Sequence, residues 1–536
     1  CVIFKFKPGL KGKAYPVFQL IRDPVIAARE VANSGNRLVK VRDRDEHVTG
    51  VDPAIFEKAR ADMARKKRGF LAPQHCIAAI EAATTLPFDE GMKRERELIQ
   101  ELFASDQSKA QQHFFFAERQ AAKIPDVPKD TPVRDIQSAA ILGAGTMGGG
   151  IAMNFANAGI PVTIVEQNHE ALDRGMGVIR GNYERSAKRG RFSMEDVEQR
   201  MGLITGSLDI NDVAPADIVI EAVFENMGVK KEIFTKLDTI CKPGAILATN
   251  TSTLDVDEIA AVTKRPEEVI GLHFFSPANV MKLLEEVRGE KTAKDVIATS
   301  MGLAKRIGKV PVLAGVCDGF IGNRMLHAYF NQAFAMLYEG AMPWDVDKAM
   351  YDFGLAMGPF AMSDLAGLDV SWRIRQEKGE SNPIADRLCE MGRFGQKTKA
   401  GYYRYEEGSR AAIPDDVTAK IVEEEGLKAK NARREIGAEE IVDRCLLALV
   451  NEGAKILEEG IALRASDIDV TYVYGYGFPV YRGGPMFAAD LMGLSTVLEK
   501  IKGFHAAGYG VVWKPASLIE RLVAEGKSFK EYDNGG

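Results

Sequence analysis

Gly143-Ala144-Gly145-Thr146-Met147-Gly148 decides the reading of this chain because of what flanks it. It follows the apolar run Ala139-Ala140-Ile141-Leu142, which predicts a buried strand. It opens Ile151-Ala152-Met153-Asn154-Phe155-Ala156, which predicts a helix ending at Gly159. A second strand, Val162-Thr163-Ile164-Val165, then delivers Glu166, 23 residues after the first glycine. A lone G-x-G-x-x-G says little. Strand, glycines, helix, strand and acid in that order predict dinucleotide binding. The first glycine allows a tight turn, the second lets a pyrophosphate approach the backbone, and the third lets helix and strand pack closely. The helix N-terminus faces the phosphates. Glu166 would hydrogen-bond the adenosine ribose hydroxyls and repel a 2′-phosphate, so NAD is expected over NADP. The competing reading is a glycine-rich turn in an α/β protein that binds nothing.

The rest of the chain fits an enzyme-sized globular protein. Its 536 residues leave room for three or four domains, and 46% hydrophobic with 27% charged residues is ordinary composition. A net charge of −5 gives no reason to expect nucleic acid. The basic run Arg65-Lys66-Lys67-Arg68 continues a helical pattern that carries Glu57 and Asp62, and reads as a solvated face. Six scattered cysteines without a C-x-x-C pair predict a reducing compartment, no disulfide framework and no metal site. No segment approaches 18 consecutive apolar residues, so no transmembrane helix is expected. The opening Cys1-Val2-Ile3-Phe4-Lys5 reads as the start of a fragment, and residues 1 to about 37 suggest no fold.

Residues 53–122 show helical periodicity, and Ile124-Pro125-Asp126-Val127-Pro128-Lys129-Asp130-Thr131-Pro132 reads as a linker. Between 136 and 313 strands and helices alternate, with buried parallel strands expected at 218–223, 246–249 and 269–272 and a closing strand at 309–313. This predicts a doubly wound α/β domain. From Gly319 the chain is helical and repeats itself. Arg324, Asn331 and Glu339-Gly340 recur 120 residues on as Arg444, Asn451 and Glu459-Gly460. Gly358-Pro359 and Asp364-Leu365-x-Gly367-Leu368 recur 126 residues on, so a six-residue insertion accounts for both offsets. One copy then suffices for chemistry, and the second is expected to act as a brace.

Of seven histidines, only His273 falls just past a predicted parallel strand, where open α/β sheets bind ligands. It could take a proton at neutral pH, and Glu285, 12 residues on, could hold its imidazole. By position alone a structural histidine fits equally well. Asn250-Thr251-Ser252-Thr253 follows another strand and offers polar groups at the same edge, or merely caps a helix. Asn323 lies where the α/β domain gives way to helices, a favoured place for a cleft, or is simply a polar helix residue.

Together, the glycine motif, Glu221-Ala222-Val223-Phe224-Glu225-Asn226, Asn250-Thr251-Ser252, Gly271-Leu272-His273-Phe274-Phe275-Ser276-Pro277 and Gly319-Phe320-Ile321-Gly322-Asn323-Arg324 closely resemble the L-3-hydroxyacyl-CoA dehydrogenases of fatty-acid β-oxidation. The duplicated C-terminal half, Phe114-Phe115-Phe116-Ala117-Glu118-Arg119 and Thr85-Leu86-Pro87-Phe88-Asp89-Glu90-Gly91 resemble the multifunctional version, the α-subunit of fatty-acid oxidation complexes, which also carries an enoyl-CoA hydratase.

The resemblance implies a Rossmann-type NAD-binding domain (136–315), two helical dehydrogenase repeats (316–425 and 426–536), a linker (125–135) and an N-terminal helical remnant of a hydratase domain (1–124). It implies His273 as general base and Glu285 as its orienting acid, with Ser252 and Asn323 hydrogen-bonding the substrate near its reacting oxygens. Gly143, Gly145, Thr146, Met147, Gly148, Glu166, Glu225, Lys230 and Asn250 are the implied cofactor-binding residues. The implied cofactor is NAD, the substrate an acyl-CoA thioester, the partner of an intact complex a thiolase, and the setting a bacterial cytoplasm. Hydration is not expected of this chain, and Glu90, Glu95 and Glu118 read as solvated surface charges. Two rivals stand beside this reading. A lysine-base hydroxyacid dehydrogenase would need a lysine where Asn323-Arg324 stands, and a silent NAD-binding protein would have no use for the polar set.

Overall fold

The computed structural model describes residues 48–429 and 433–535, together with 29, 32–35 and 42. Most of the opening segment that suggests no fold lies outside the described residues. The chain divides into two compact units, residues 1–102 and 103–536.

In the first unit the helical expectation holds. Helices Ala54–Lys66 and Ala72–Thr85 are joined by an ion pair between Arg60 and Glu81, and a third helix starts at Phe88. Among its described residues Phe56, Ile77, Ala82 and Leu98 are buried, whereas Ile55 and Ile80 face solvent. Adjacent helix residues are turned roughly 100° from each other, so Ile55 can face solvent beside buried Phe56.

The second unit is built on one eight-stranded sheet. Its strands are β1 (Ala139–Leu142), β2 (Val162–Val165), β3 (Ile204–Ser207), β4 (Ile218–Glu221), β5 (Ile246–Thr249), β6 (Val269–Phe274), β7 (Leu283–Val287) and β8 (Val310–Ala314). They lie in the order β3-β2-β1-β4-β5-β6-β7-β8. All neighbours are parallel except β6 and β7, which run antiparallel. Ile141, Ile218, Ile220, Ile246 and Ile270 pack on one face, and Ala140, Leu142, Val219, Leu247 and Val269 on the other, the face continuous with the helical core. That alternation follows from the two-residue period of a strand. Strand order reverses between β1 and β4, and such a switch point opens a crevice at the carboxyl ends.

Two strands escape the sequence pattern. β3 is half exposed, and β7 reads Leu-Leu-Glu-Glu-Val, whose two carboxylates disguise a strand that is buried throughout. β6 also runs two residues further than expected, so His273 lies within the strand and not past its end.

After β8 the chain is helical, and the duplication is visible in the contacts. Helices Gly322–Glu339 and Ala438–Glu458 pack against each other. Asp347 accepts from the backbone N–H of Phe360 and Ala361 at 2.9 and 2.7 Å, capping the helix after Gly358-Pro359. Asp469 does the same for Met486 at 2.8 Å, after Gly484-Pro485. A buried aspartate that satisfies first-turn N–H groups is a strong local constraint, and the sequence repeats it.

The segment before the sheet is bound to this unit. Helix Asp106–Ala121 buries Phe114, Ala117 and Ala121, and His113 Nε2 lies 2.8 Å from the buried Asp469. Glu118, expected to be solvated, accepts from the Tyr474 hydroxyl at 2.7 Å. Ile124, within the proline-rich stretch, packs with Ile297, Met301 and Leu313, and Asp126 pairs with Arg288 at 2.7 Å. The prolines therefore stiffen a docked strap, and the compact division of the chain falls earlier, between Leu102 and Phe103.

Candidate active site

Each part of the glycine turn has a physical reason. Gly143 adopts φ +102°, and a Cβ there would sit 2.7 Å from the Ala222 carbonyl oxygen. At Gly148 a Cβ would lie 1.9 Å from the Gly143 carbonyl oxygen, so helix Thr146–Asn157 can approach β1 only with glycine there. At Gly145 a Cβ meets nothing within 4 Å, which leaves open space beside an exposed helix N-terminus. That opening, next to first-turn N–H groups with no intrahelical partner, is the shape a pyrophosphate requires. Met147 is partly buried behind it. Glu166, just past β2, accepts from Ala144 N–H at 3.1 Å and from Gln167 N–H at 2.7 Å, which brings its carboxylate beside the turn. The residues present fit NAD.

At the ends of β4 and β5 lies a network of charges. Lys230 is fully buried, and its Nζ donates to both Glu221 oxygens at 2.8 Å and lies 3.1 Å from Glu225 Oε2. Glu225 Oε1 accepts from Thr251 Oγ1 at 2.5 Å and from the Ser252 N–H at 2.7 Å. Burial pushes the Glu225 carboxyl up, but Lys230 and the Thr251 and Ser252 donors outweigh it and hold it below the ordinary range. Asn250 Oδ1 accepts from Phe274 N–H at 2.9 Å, fixing the end of β5 to β6.

His273 and Glu285 face each other across the antiparallel β6–β7 pair. The 12-residue spacing works because the chain reverses between the two strands and the register sets them opposite. His273 Nδ1 lies 2.7 Å from Glu285 Oε2. Glu285 is fully buried, and its other oxygen accepts from Gly322 N–H at 2.9 Å. Phe275 and Phe320 wall the imidazole, with ring centroids at 4.4 and 5.8 Å. Phe320 has φ 49°, a left-handed conformation that costs a non-glycine residue about 1 kcal/mol or more and tends to mark functional sites. It lets the chain turn from the sheet into helix Gly322–Glu339, where Asn323 Nδ2 lies 3.5 Å from the Ser252 carbonyl oxygen.

The structure thus gathers the expected polar residues into one connected set, from Glu225 through Ser252 and Asn323 to Glu285 and His273. It also adds residues that sequence reasoning passed over. Glu221 and Thr251 stood inside quoted motifs and could have been suspected. Tyr472 and Tyr476 carried no signal. They belong to the second repeat, yet the Tyr476 hydroxyl donates to Asn323 Oδ1 at 2.8 Å and that of Tyr472 to the Gly322 carbonyl at 3.1 Å. The second repeat therefore touches the candidate site residue Asn323 directly. Among the described residues no group of His, Cys, Asp and Glu could hold a metal ion, and no helix is long and apolar enough to cross a membrane.

Comparison with known proteins places the chain in a family. Residues 138–317 match the family model of the 3-hydroxyacyl-CoA dehydrogenase NAD-binding domain. Residues 319–405 and 441–535 match that of the C-terminal domain, two matches that reflect the duplication. The chain is 47% identical over 501 residues to a peroxisomal bifunctional enzyme of Danio rerio, covering 89% of this chain and 69% of that one. The crystal structure of the dehydrogenase part of multifunctional enzyme 1 from C. elegans is 32% identical, with a TM-score of 0.58 over 76% of this chain and 96% of that one. A 3-hydroxybutyryl-CoA dehydrogenase from Escherichia coli is 26% identical, with a TM-score of 0.63 over 73% of this chain and all of its own. The expectation of a bacterial cytoplasmic setting is overturned, because the matching animal and plant relatives are peroxisomal or glyoxysomal enzymes. The chain belongs to the 3-hydroxyacyl-CoA dehydrogenase family, in its multifunctional form, and oxidises 3-hydroxyacyl-CoA with NAD in fatty-acid β-oxidation.

Proposed function

We propose that His273 is the general base of this oxidation, acting on the (3S)-3-hydroxyl group. The observation that carries this is the buried carboxylate of Glu285 at 2.7 Å from His273 Nδ1. A carboxylate there holds a proton on Nδ1, which leaves the Nε2 lone pair to accept the substrate's hydroxyl proton. As the imidazole becomes cationic, Glu285 stabilises it without moving, since Gly322 N–H holds the other oxygen. NAD, when bound, supplies the two-electron acceptor for C3.

Gly143, Gly145, Thr146, Met147, Gly148 and Glu166 would hold the nucleotide's phosphates and adenosine ribose. Glu225 and Asn250 would shape the floor nearer the reacting centre, and Lys230 acts there through Glu225, since its ammonium is committed to two carboxylates. Ser252 and Asn323 would hydrogen-bond the substrate oxygens. The proposed domain limits are 136–315 for the nucleotide domain, 316–425 and 426–536 for the repeats, and 125–135 for the strap, with residues 1–124 preceding it. A thiolase cleaves 3-oxoacyl-CoA, the product here, and is the partner to test by co-purification.

The direct test is His273→Gln. Turnover of 3-hydroxyacyl-CoA should fall about 10²–10⁴-fold, the usual size of a general-base contribution, with NADH binding measured by fluorescence nearly unchanged. Near-wild-type turnover would refute the assignment.

A further inference from the structure

We propose that Tyr476, supplied by the second helical repeat, is a positioning residue that fixes the Asn323 carboxamide with Nδ2 toward the reacting oxygen of the substrate. The inference rests on the reading of His273 and Asn323 above and extends it to a residue that no motif marks.

An asparagine carboxamide can be set either way round, and its neighbours decide which. Here the Tyr476 hydroxyl lies 2.8 Å from Oδ1, and the Ser252 carbonyl oxygen lies 3.5 Å from Nδ2. Turned over, Oδ1 would face that carbonyl, acceptor against acceptor. The observed setting directs one amide hydrogen to Ser252 and leaves the other for a ligand. Without the hydroxyl only the long contact to Ser252 would hold it.

Tyr476 is itself held in place. Its ring stacks on Tyr472 at 4.8 Å and meets Phe275 edge-on at 5.5 Å, while Phe275 lies 4.4 Å from the His273 ring. A Cβ at residue 322 would lie 2.5 Å from the Tyr476 hydroxyl oxygen, so glycine there is what admits the hydroxyl. The same Gly322 donates to Glu285 and accepts from Tyr472. One aromatic pair thus borders the carboxamide, the backbone that holds Glu285, and the wall of the imidazole. The duplication did not provide it. By the offsets of 120, 122 or 126 that relate neighbouring matched pairs, Tyr476 falls on Ala356, Gly354 or Met350, none of which has a hydroxyl.

The test is Tyr476→Phe in the full chain, which keeps the ring and removes only the hydroxyl. With 3-hydroxybutyryl-CoA, kcat should fall about tenfold while the KM for NAD stays within about twofold, because the loss is confined to a group near the reacting oxygen. The pH dependence of kcat/KM should keep its wild-type midpoint, since His273 is untouched. Asn323→Ala should lose more, and adding Tyr476→Phe to it should cost nothing further, as expected for residues acting as a unit. Acetoacetyl-CoA, measured by calorimetry, should bind the Tyr476→Phe protein about tenfold more weakly, a loss that uniform softening of the fold would spread to NADH as well. Turnover within about twofold of wild type, or losses that multiply fully in the double variant, would overturn the proposal. His273→Gln assayed alongside separates the two readings. Wild-type turnover there would refute the base assignment whatever Tyr476→Phe does.

Discussion

Arg324 of the first repeat donates through Nη2 to Glu459 of the second at 2.8 Å, and 120 residues on Arg444 returns the contact to Glu339 at 2.8 Å. Each copy therefore closes its long helix onto the last turn of the other. Arg324 follows Asn323 directly, so the bond that joins the repeats also anchors the residue next to the proposed substrate contact. The proposed substrate contact thus sits between two bonds from the second repeat, one to Asn323 and one to its neighbour Arg324.

The two ion pairs should differ in strength. Arg444 is fully buried and Glu339 nearly so, whereas Arg324 and Glu459 are partly open to water. Breaking a buried pair costs about 3–5 kcal/mol because the remaining charge is stranded, while a half-open pair costs less because water screens what remains. Arg444→Leu should lower the urea midpoint far more than Arg324→Leu, although the second disturbs turnover more. Equal destabilisation would show that burial does not set the balance.

The dyad should behave as one unit. Glu285→Gln removes the charge that stabilises the imidazolium, and its loss in kcat should not add to that of His273→Gln. The double variant is expected to turn over no more slowly than His273→Gln alone, by initial-rate measurement. A full product of the two losses would mean that Glu285 acts independently.

Cofactor choice should follow Glu166. NAD should be strongly preferred, since no arginine stands in Gln167-Asn168 to receive a 2′-phosphate. Glu166→Ala should raise the KM for NAD about tenfold, hydrogen bonds to a charged group being worth roughly 1.5–3 kcal/mol, and should narrow the gap to NADP. Comparable kcat/KM with NADP in the unmodified protein would reject this.

Glu286, beside Glu285 on β7, points elsewhere and is fully buried, with one oxygen unpartnered and the other accepting from Ser300. Burial pushes its carboxyl up to about 8. The folded state therefore holds a proton that the unfolded state releases near the ordinary glutamate pKa of about 4.3, and stability from this residue falls as pH rises from there to about 8. Glu286→Gln should remove that slope, so its melting temperature relative to wild type should rise between about pH 5 and pH 8 and then level off. A pH-independent difference would place the charge elsewhere.

What the sequence by itself determined is local. Gly143, Gly145 and Gly148 are dictated by backbone approach within a single βαβ unit, and Glu166 follows one strand later, so the nucleotide turn was legible from spacing and steric need. The repeated Arg324/Arg444, Gly-Pro and Asp364/Asp490 positions were legible too, whereas the capping pair Asp347 and Asp469 was seen only in the fold. Two glutamates in five residues hid β7, since a carboxylate inside a strand looks solvated until its partner is known. His273 was already proposed for Glu285 from spacing, but the antiparallel register that sets them opposite, and Ser300 as the partner of Glu286, come from packing that local periodicity does not encode. The docking of helix Asp106–Ala121 through His113 and Asp469, and the arrival of Tyr476 at Asn323, depend on contacts between residues more than 150 positions apart. Only the folded chain, minimising exposed apolar surface and unpaired polar groups over its whole length, decided those.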